Sequence, residues 1–234
     1  MEWRVFALLL SRAQFALWSF RNPGASFKEF YADSVADAVA GKEQHPSLGP
    51  DLKPGGTSGA LNTFNKLVSQ GIRPSDTLVD YGCGTLRVGS LFIEHLEAGH
   101  YIGMDIDQRI LAAGLSQLPA ELVESKRPTL EVISPDSLAR VAARQPRWVC
   151  SKGVLQHVPP QDLNEFFGNL SHLIHAGATG LLYSPIGSQS KRIGVKAWVH
   201  DFDRLQAAAQ RQGMKFEKLR YREGGLMRLK RHRN

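Results

Sequence analysis

Beyond Asn62 the chain alternates between two rhythms. Short apolar runs of strand length, at 77–81, 100–105, 129–133, 147–151 and 180–184, are separated by stretches whose apolar residues recur every three or four positions. Runs of the first kind suit strands, and the stretches between them suit amphipathic helices. Their succession predicts consecutive βαβ units and a mostly parallel sheet. The clearest helix lies in PPQDLNEFFGNLSHLIHAG, where Leu163, Phe166, Phe167, Leu170, Leu173 and Ile174 form one stripe and Gly177 offers a C-terminal stop. A further helix is expected over 202–212. The chain then ends in KFEKLRYR and LMRLKRH joined by Glu223-Gly224-Gly225, which reads as a closing antiparallel hairpin.

The first sixty residues follow neither rhythm throughout. In MEWRVFALLLSRAQFALWSFR, residues Trp3, Phe6, Leu10, Ala13, Leu17 and Phe20 recur at helical spacing, which predicts an amphipathic helix packed on its own domain. The second expectation for residues 1–21 is peripheral attachment to a membrane surface, or dimerisation. The apolar run is interrupted by Ser11, Arg12 and Gln14, too early for a membrane span of about 20 apolar residues. Glu2 and the want of a small-x-small cleavage site also make it a poor signal peptide. Residues 22–60 are rich in Gly, Pro, Ser and Asp and read as an irregular boundary. The expected organisation is an N-terminal extension over 1–60 and one catalytic domain over 61–234. A length of 234 residues fits a single α/β domain with a short extension.

Composition adds three constraints. Apolar residues at 42% and charged residues at 22% exclude a disordered chain. Cys83 and Cys150 lie in no C-x-x-C or Cys/His spacing, so no metal site is expected, and both are read as reduced thiols in a cytoplasmic protein. Of the net charge of +7, residues 215–234 carry +6, with eight Lys/Arg against Glu217 and Glu223. Such a tail either attracts a phosphate-bearing partner or is the solvated face of a strand.

The candidate chemistry sits in LVDYGCGTLRVG. A buried strand ends at Asp80, turns through Gly82 and Gly84, and enters a helix near Leu86. Glycines let the backbone approach a ligand closely, and the helix N-terminus presents unpaired N–H donors suited to a carboxylate. A nicotinamide enzyme would need G-x-G-x-x-G here, and Arg87 occupies the third glycine position.

These residues resemble the first motif of the class I S-adenosylmethionine-dependent methyltransferases, acidic-x-Gly-x-Gly after a hydrophobic strand. The resemblance continues in YIGMDID, ISPDSL and WVCSKGVLQHVPP, in the family's order, and covers roughly residues 60–234. It departs at Leu86, where many members have a third glycine. It implies a Rossmann-like, seven-stranded, mostly parallel sheet with an antiparallel C-terminal hairpin and S-adenosyl-L-methionine as cofactor. The implied cofactor residues are Asp80, Gly82, Cys83, Gly84, Thr85 and Leu86 at the first motif. Further along they are Asp105 and Ile106, Asp136 and Ser137, and Ser151 and Lys152. Asp105 would take the ribose hydroxyls and Asp136 the adenine side. His157, matching the fourth-strand motif, is either a base toward a hydroxyl acceptor or a packing residue beside the cofactor.

The acceptor is less legible. Ser151-Lys152-Gly153-Val154 stands where methyltransferases of amino groups on bases or glutamine carry N/D-P-P-Y/F/W. O-methylation of a small molecule or glycan is therefore the first expectation and tRNA or rRNA the second. A non-catalytic adaptor with the same fold is the third. Lys191, Arg192, Lys196, Trp198 and His200, in the loop after the fifth strand, are the expected acceptor contacts, or else parts of a solvated loop. The oligomeric state is left open.

Overall fold

The computed structural model describes residues 14–41, 58–194, 196–219 and 225–232. Its main sheet has seven strands in the order β3-β2-β1-β4-β5-β10-β9. Strands β1 (Leu78–Tyr81), β2 (Tyr101–Asp105), β3 (Thr129–Val132), β4 (Trp148–Lys152) and β5 (Thr179–Tyr183) run parallel. Each lies within a residue or two of its expected run. Strands β9 (Met214–Lys218) and β10 (Leu226–Arg231) pair antiparallel, and β10 pairs antiparallel to β5. The closing hairpin is thus present, while residues 220–224 of its connection lie outside the described residues.

The central runs are continuously apolar because both faces of the sheet are covered. In β1, Leu78 faces a cluster with Phe92, Tyr101 and Trp148, and Val79 faces the opposite cluster with Phe167, Leu170 and Met227. Helices α2 (Ser58–Val68) and α3 (Gly89–His95) contribute to the first cluster. Helices α6 (Pro135–Ala143), α7 (Leu163–Leu173) and α8 (Phe202–Arg211) contribute to the second. Helices α4 (Gln108–Leu115) and α5 (Ala120–Lys126) complete the connections around β3. The six-residue stripe expected in α7 is buried throughout.

Four expectations need correction. Helix α7 stops at Leu173, before Gly177. Its end is closed instead by Arg231, whose Nε donates to Ile174 O at 3.0 Å and Nη2 to Ser171 O at 2.6 Å. A cation placed on the last carbonyls is a favourable helix ending. Second, the segment 22–60 is not irregular throughout: it holds α1 (Phe27–Gly41). Ser26 and Glu29 bond reciprocally as a capping box, Glu29 N–H to Ser26 Oγ at 3.3 Å and Ser26 N–H to Glu29 Oε2 at 2.6 Å.

Third, the described end of the N-terminal helix packs on its domain, but through another face than the expected stripe. Residues 14–21 are helical, but Phe15 and Trp18 meet α1 while Leu17 and Phe20 are 61% and 87% exposed. Trp3, Phe6, Leu10 and Ala13 lie outside the described residues. Fourth, the loop after β5 is ordered as a small sheet of β6 (Ile186–Gly187), β8 (Trp198–Asp201) and β7 (Lys191–Arg192), with β8 in the middle. Both cysteines are buried free thiols. Among the described residues no helix is long and apolar enough to cross a membrane, and no cluster of His, Cys, Asp or Glu is placed to hold a metal.

Candidate active site

The strand order reverses between β1 and β4, since the chain leaves β1 toward β2 on one side and later adds β4 on the other. In parallel sheets the crevice beyond the strand ends at such a point is where ligands bind. A cavity of about 260 Å³ opens there, floored by the ends of β1, β2 and β4 and roofed by α1.

The floor is shaped by the glycine turn. Gly82 has φ +79° and Gly84 φ +57°, and a Cβ on Gly82 would stand 2.2 Å from Val154 Cγ2. A side chain at 82 would strain the backbone and collide with the loop after β4. Leu86 also has φ +60°, yet its side chain is fully buried in the core. The missing third glycine is therefore met by a leucine that takes the left-handed conformation and fills the space beneath the turn.

Two carboxylates meet this turn. Asp105, at the end of β2, accepts from Gly84 N–H through Oδ2 at 2.7 Å and from Ile106 N–H through Oδ1 at 2.8 Å. Each oxygen is fixed in place and keeps a second lone pair for a ligand. Burial raises Asp105 to about 6, against the lowering effect of those two N–H bonds. Asp80, at the end of β1, accepts from Tyr101 OH at 3.0 Å and is raised by burial to about 7. Lys152, at the end of β4, is lowered to about 8 by burial and by the positive charge of Arg87, with Asp80 acting against the shift. Thr85 Oγ1 is buried, lines the cavity and has no hydrogen-bond partner among the described residues.

The opposite wall holds His157. Its Nδ1–H donates to Lys196 O at 2.6 Å, an arrangement that leaves Nε2 as the lone-pair nitrogen, 3.1 Å from the Gln156 amide. Tyr31 lies on its ring at a centroid distance of 4.8 Å. Farther round, Asn169 Nδ2 donates to Tyr81 OH at 3.0 Å, and burial holds the Tyr81 phenol above its ordinary range.

Asp80, Gly82, Cys83, Gly84, Thr85, Asp105, Ile106, Lys152 and His157 therefore share one cavity. The remaining sequence candidates stand elsewhere. Leu86 is core. Ser137 Oγ donates to Val132 O at 2.7 Å and closes the cap of α6, and Asp136 is exposed; neither lines the cavity. Ser151 is buried with its hydroxyl unpartnered among the described residues, one position before the strand end that reaches the cavity.

None of Lys191, Arg192, Trp198 and His200 lines the cavity either. The small sheet holds them behind its wall. Trp198 meets Phe27 edge-on at 4.8 Å, Arg192 lies over the Trp198 ring at 5.2 Å, and His200 Nε2–H donates to Val158 O at 3.0 Å. Burial keeps His200 below its ordinary pKa. Lys196 donates its ammonium to Ser34 Oγ of α1.

What the sequence reading missed is the roof. Phe27, Tyr31 and Val35 of α1 line the cavity, as do Glu165, Phe166 and Asn169 of α7. The signal was present for α1 in Ser26-x-x-Glu29 followed by apolar residues at helical spacing. The roof is moored by Arg109 Nη2 to Asp33 at 2.8 Å and by Lys28 to Glu165 at 3.1 Å.

No family model and no curated protein matches the chain. Solved structures do. The magnesium protoporphyrin IX methyltransferase of Synechocystis PCC 6803, with bound S-adenosylmethionine, superposes with a TM-score of 0.61 at 15% identity, over 90% of this chain and 99% of that one. The chain has the class I methyltransferase fold. The same methyltransferase fold is found in DesVI of Streptomyces venezuelae, with a TM-score of 0.52 at 14% identity over 74% of this chain and 90% of that one. It is found again in the sugar N-methyltransferase KedS8 of a Streptoalloteichus species, with a TM-score of 0.52 at 13% identity over 75% and 88%.

Proposed function

We propose that this chain is an S-adenosylmethionine-dependent methyltransferase that methylates an oxygen of a small molecule or glycan. The observation that carries the reading is Asp105, a buried carboxylate whose two oxygens are oriented by Gly84 and Ile106 N–H beside the glycine turn. A fixed pair of acceptors is what a vicinal diol such as a ribose requires. Asp80 would receive an ammonium through water, the turn would lie along the methionyl chain, and the unpartnered Thr85 hydroxyl offers one further polar contact. When bound, the cofactor supplies a methyl group activated by a sulfonium.

The chain's own task is then alignment, since placing nucleophile and methyl in line supplies most of the rate of a direct displacement. Tyr31, Phe27 and Phe166 would hold the acceptor against the turn and exclude water. His157 is suited to take the hydroxyl proton at Nε2 once the acceptor displaces the Gln156 amide from that nitrogen, because Nδ1–H is held by Lys196 O. The walls suit a small acceptor, and solved neighbours with this fold include a sugar and a glycopeptide N-methyltransferase. An RNA acceptor is less well supported: Arg231 is tied to the end of α7 and Arg228 Nη2 to Gln70 at 3.2 Å. Retardation of RNA at moderate salt would revive it.

Calorimetric titration with S-adenosylhomocysteine tests the cofactor, and no heat from the wild-type chain would leave the adaptor reading. Asp105→Ala should weaken binding about a hundredfold or more, given roughly 1.5–3 kcal/mol for each hydrogen bond to a charged group. Labelled S-adenosylmethionine offered to extract fractions then identifies the acceptor class. His157→Ala should lower turnover sharply while leaving cofactor affinity near wild type. Unchanged turnover removes it as a base.

A further inference from the structure

The helical stretch at 14–21 has two unlike sides. Phe15 packs on Phe27 and Phe30 of α1 at 5.7 and 5.0 Å between ring centroids, and Trp18 on Phe30 at 5.4 Å. At about 100° per residue, Ala16, Leu17 and Phe20 fall on the opposite side. All three are exposed, and Phe20 keeps 87% of its surface in contact with solvent. Arg21, also exposed, borders them.

Two large apolar side chains held outward on a helix that already has a packed face add nothing to the core. The sequence continues the same stripe toward the N-terminus through Ala13, Leu10, Phe6 and Trp3, and Arg4 and Arg12 outnumber the lone Glu2. An apolar stripe edged by Arg21, in a segment where Arg4, Arg12 and Arg21 outweigh the lone Glu2, matches the interface of an anionic bilayer. The apolar groups enter the headgroup and acyl boundary while the guanidinium groups meet lipid phosphates.

We propose that the N-terminal helical face bearing Leu17 and Phe20 docks on an anionic lipid surface. The packed side of the same stretch lies on the aromatic cluster whose Phe27 lines the cavity. Docking therefore sets the cavity one helical layer away from the bilayer.

The test is sedimentation of the full chain with vesicles of phosphatidylcholine containing about a third phosphatidylglycerol, against vesicles of phosphatidylcholine alone. The wild-type chain should partition to the anionic vesicles, and raising the salt from about 0.1 to 1 M should weaken it, as the screening length shortens from roughly 10 to 3 Å. Leu17→Glu/Phe20→Glu should lower the partition about tenfold or more, since it removes two apolar side chains and adds two like charges. The exposure of both positions keeps the variant folded, which an unchanged S-adenosylhomocysteine titration and thermal midpoint would verify. Arg21→Glu should give a smaller loss in the same direction.

A wild-type chain that stays in the supernatant, or a double variant that binds anionic vesicles as well as wild type, overturns the proposal. So does a wild-type dimer in light scattering that the double variant converts to monomer while neither binds vesicles.

Discussion

The two walls of the cavity are built by different means. The floor, made by the turn after β1 and the end of β2, consists of backbone held at left-handed dihedrals, with Asp105 bonded to the N–H groups of Gly84 and Ile106 and Asp80 to the Tyr101 hydroxyl. The roof, α1, is held among the described residues by side chains alone: Val35 and Ala36 on Ile110, Phe27 on Trp198, Tyr31 on His157, Ser34 on Lys196, and ion pairs at half-exposed positions. A floor of that kind admits almost no substitution. The roof can be rebuilt residue by residue, each exposed ion pair contributing about 0–1 kcal/mol. A constant methyl donor facing the floor and a variable acceptor facing the roof would account for the division.

The largest expected effect that would sharpen this contrast is at Gly82. Gly82→Ala should lower unfolding stability by about 2–4 kcal/mol in denaturant titration, through left-handed strain of about 1–2 kcal/mol and the collision with Val154. Adding Val154→Ala should recover the collision and not the strain. Full recovery would mean that the turn itself is unstrained.

A smaller effect concerns protons. Burial raises Asp80 to about 7 and Asp105 to about 6, so folding favours their protonated forms. Their contribution to the stability of the ligand-free chain is fully present below the ordinary carboxylate range and is lost as pH rises toward about 7. Binding of an ammonium-bearing ligand has the opposite sign, because it needs Asp80 ionised. S-adenosylhomocysteine affinity should rise about tenfold between pH 6 and pH 8. Asp80→Asn should flatten that slope, and an unaltered slope would assign it to another group.

The smallest effects belong to the roof. Arg109→Ala and Lys28→Ala should each shift unfolding by about 1 kcal/mol or less. They should leave S-adenosylhomocysteine affinity near wild type while raising KM for the acceptor. A loss of cofactor affinity comparable to that of Asp105→Ala would erase the distinction between the walls.

The same division explains what could be read from the sequence. Strands buried on both faces are apolar runs, so β1, β2, β4 and β5 were legible within a residue or two, and with them Asp80 and Asp105 near strand ends, while the half-buried edge strand β3 was legible by its alternation around Glu131. Position along a strand does not by itself give the direction of a side chain. Ser151 and Lys152 are neighbours, yet only Lys152 lines the cavity. Ser137 was legible as a residue near the third strand, but its hydroxyl is consumed by a helix cap. The α1 wall of the cavity was obscured because α1 sits among Gly, Pro and Ser residues, and the place of Lys191, Arg192, Trp198 and His200 because the basic loop after β5 folds into a small sheet. There Arg192 and Trp198 are turned to each other.

That last pair has a practical consequence. Trp198 is buried, with a guanidinium over its face and the Phe27 ring against its edge, and Phe27 is part of the cavity wall. Indole emission depends on the polarity and charge of its surroundings, so a molecule that shifts Phe27 also shifts the colour and yield of Trp198. Because Trp3, Trp18 and Trp148 also emit, the part of a ligand-induced emission change that disappears in Trp198→Phe is the part that reports occupancy beside Phe27, readable without a label.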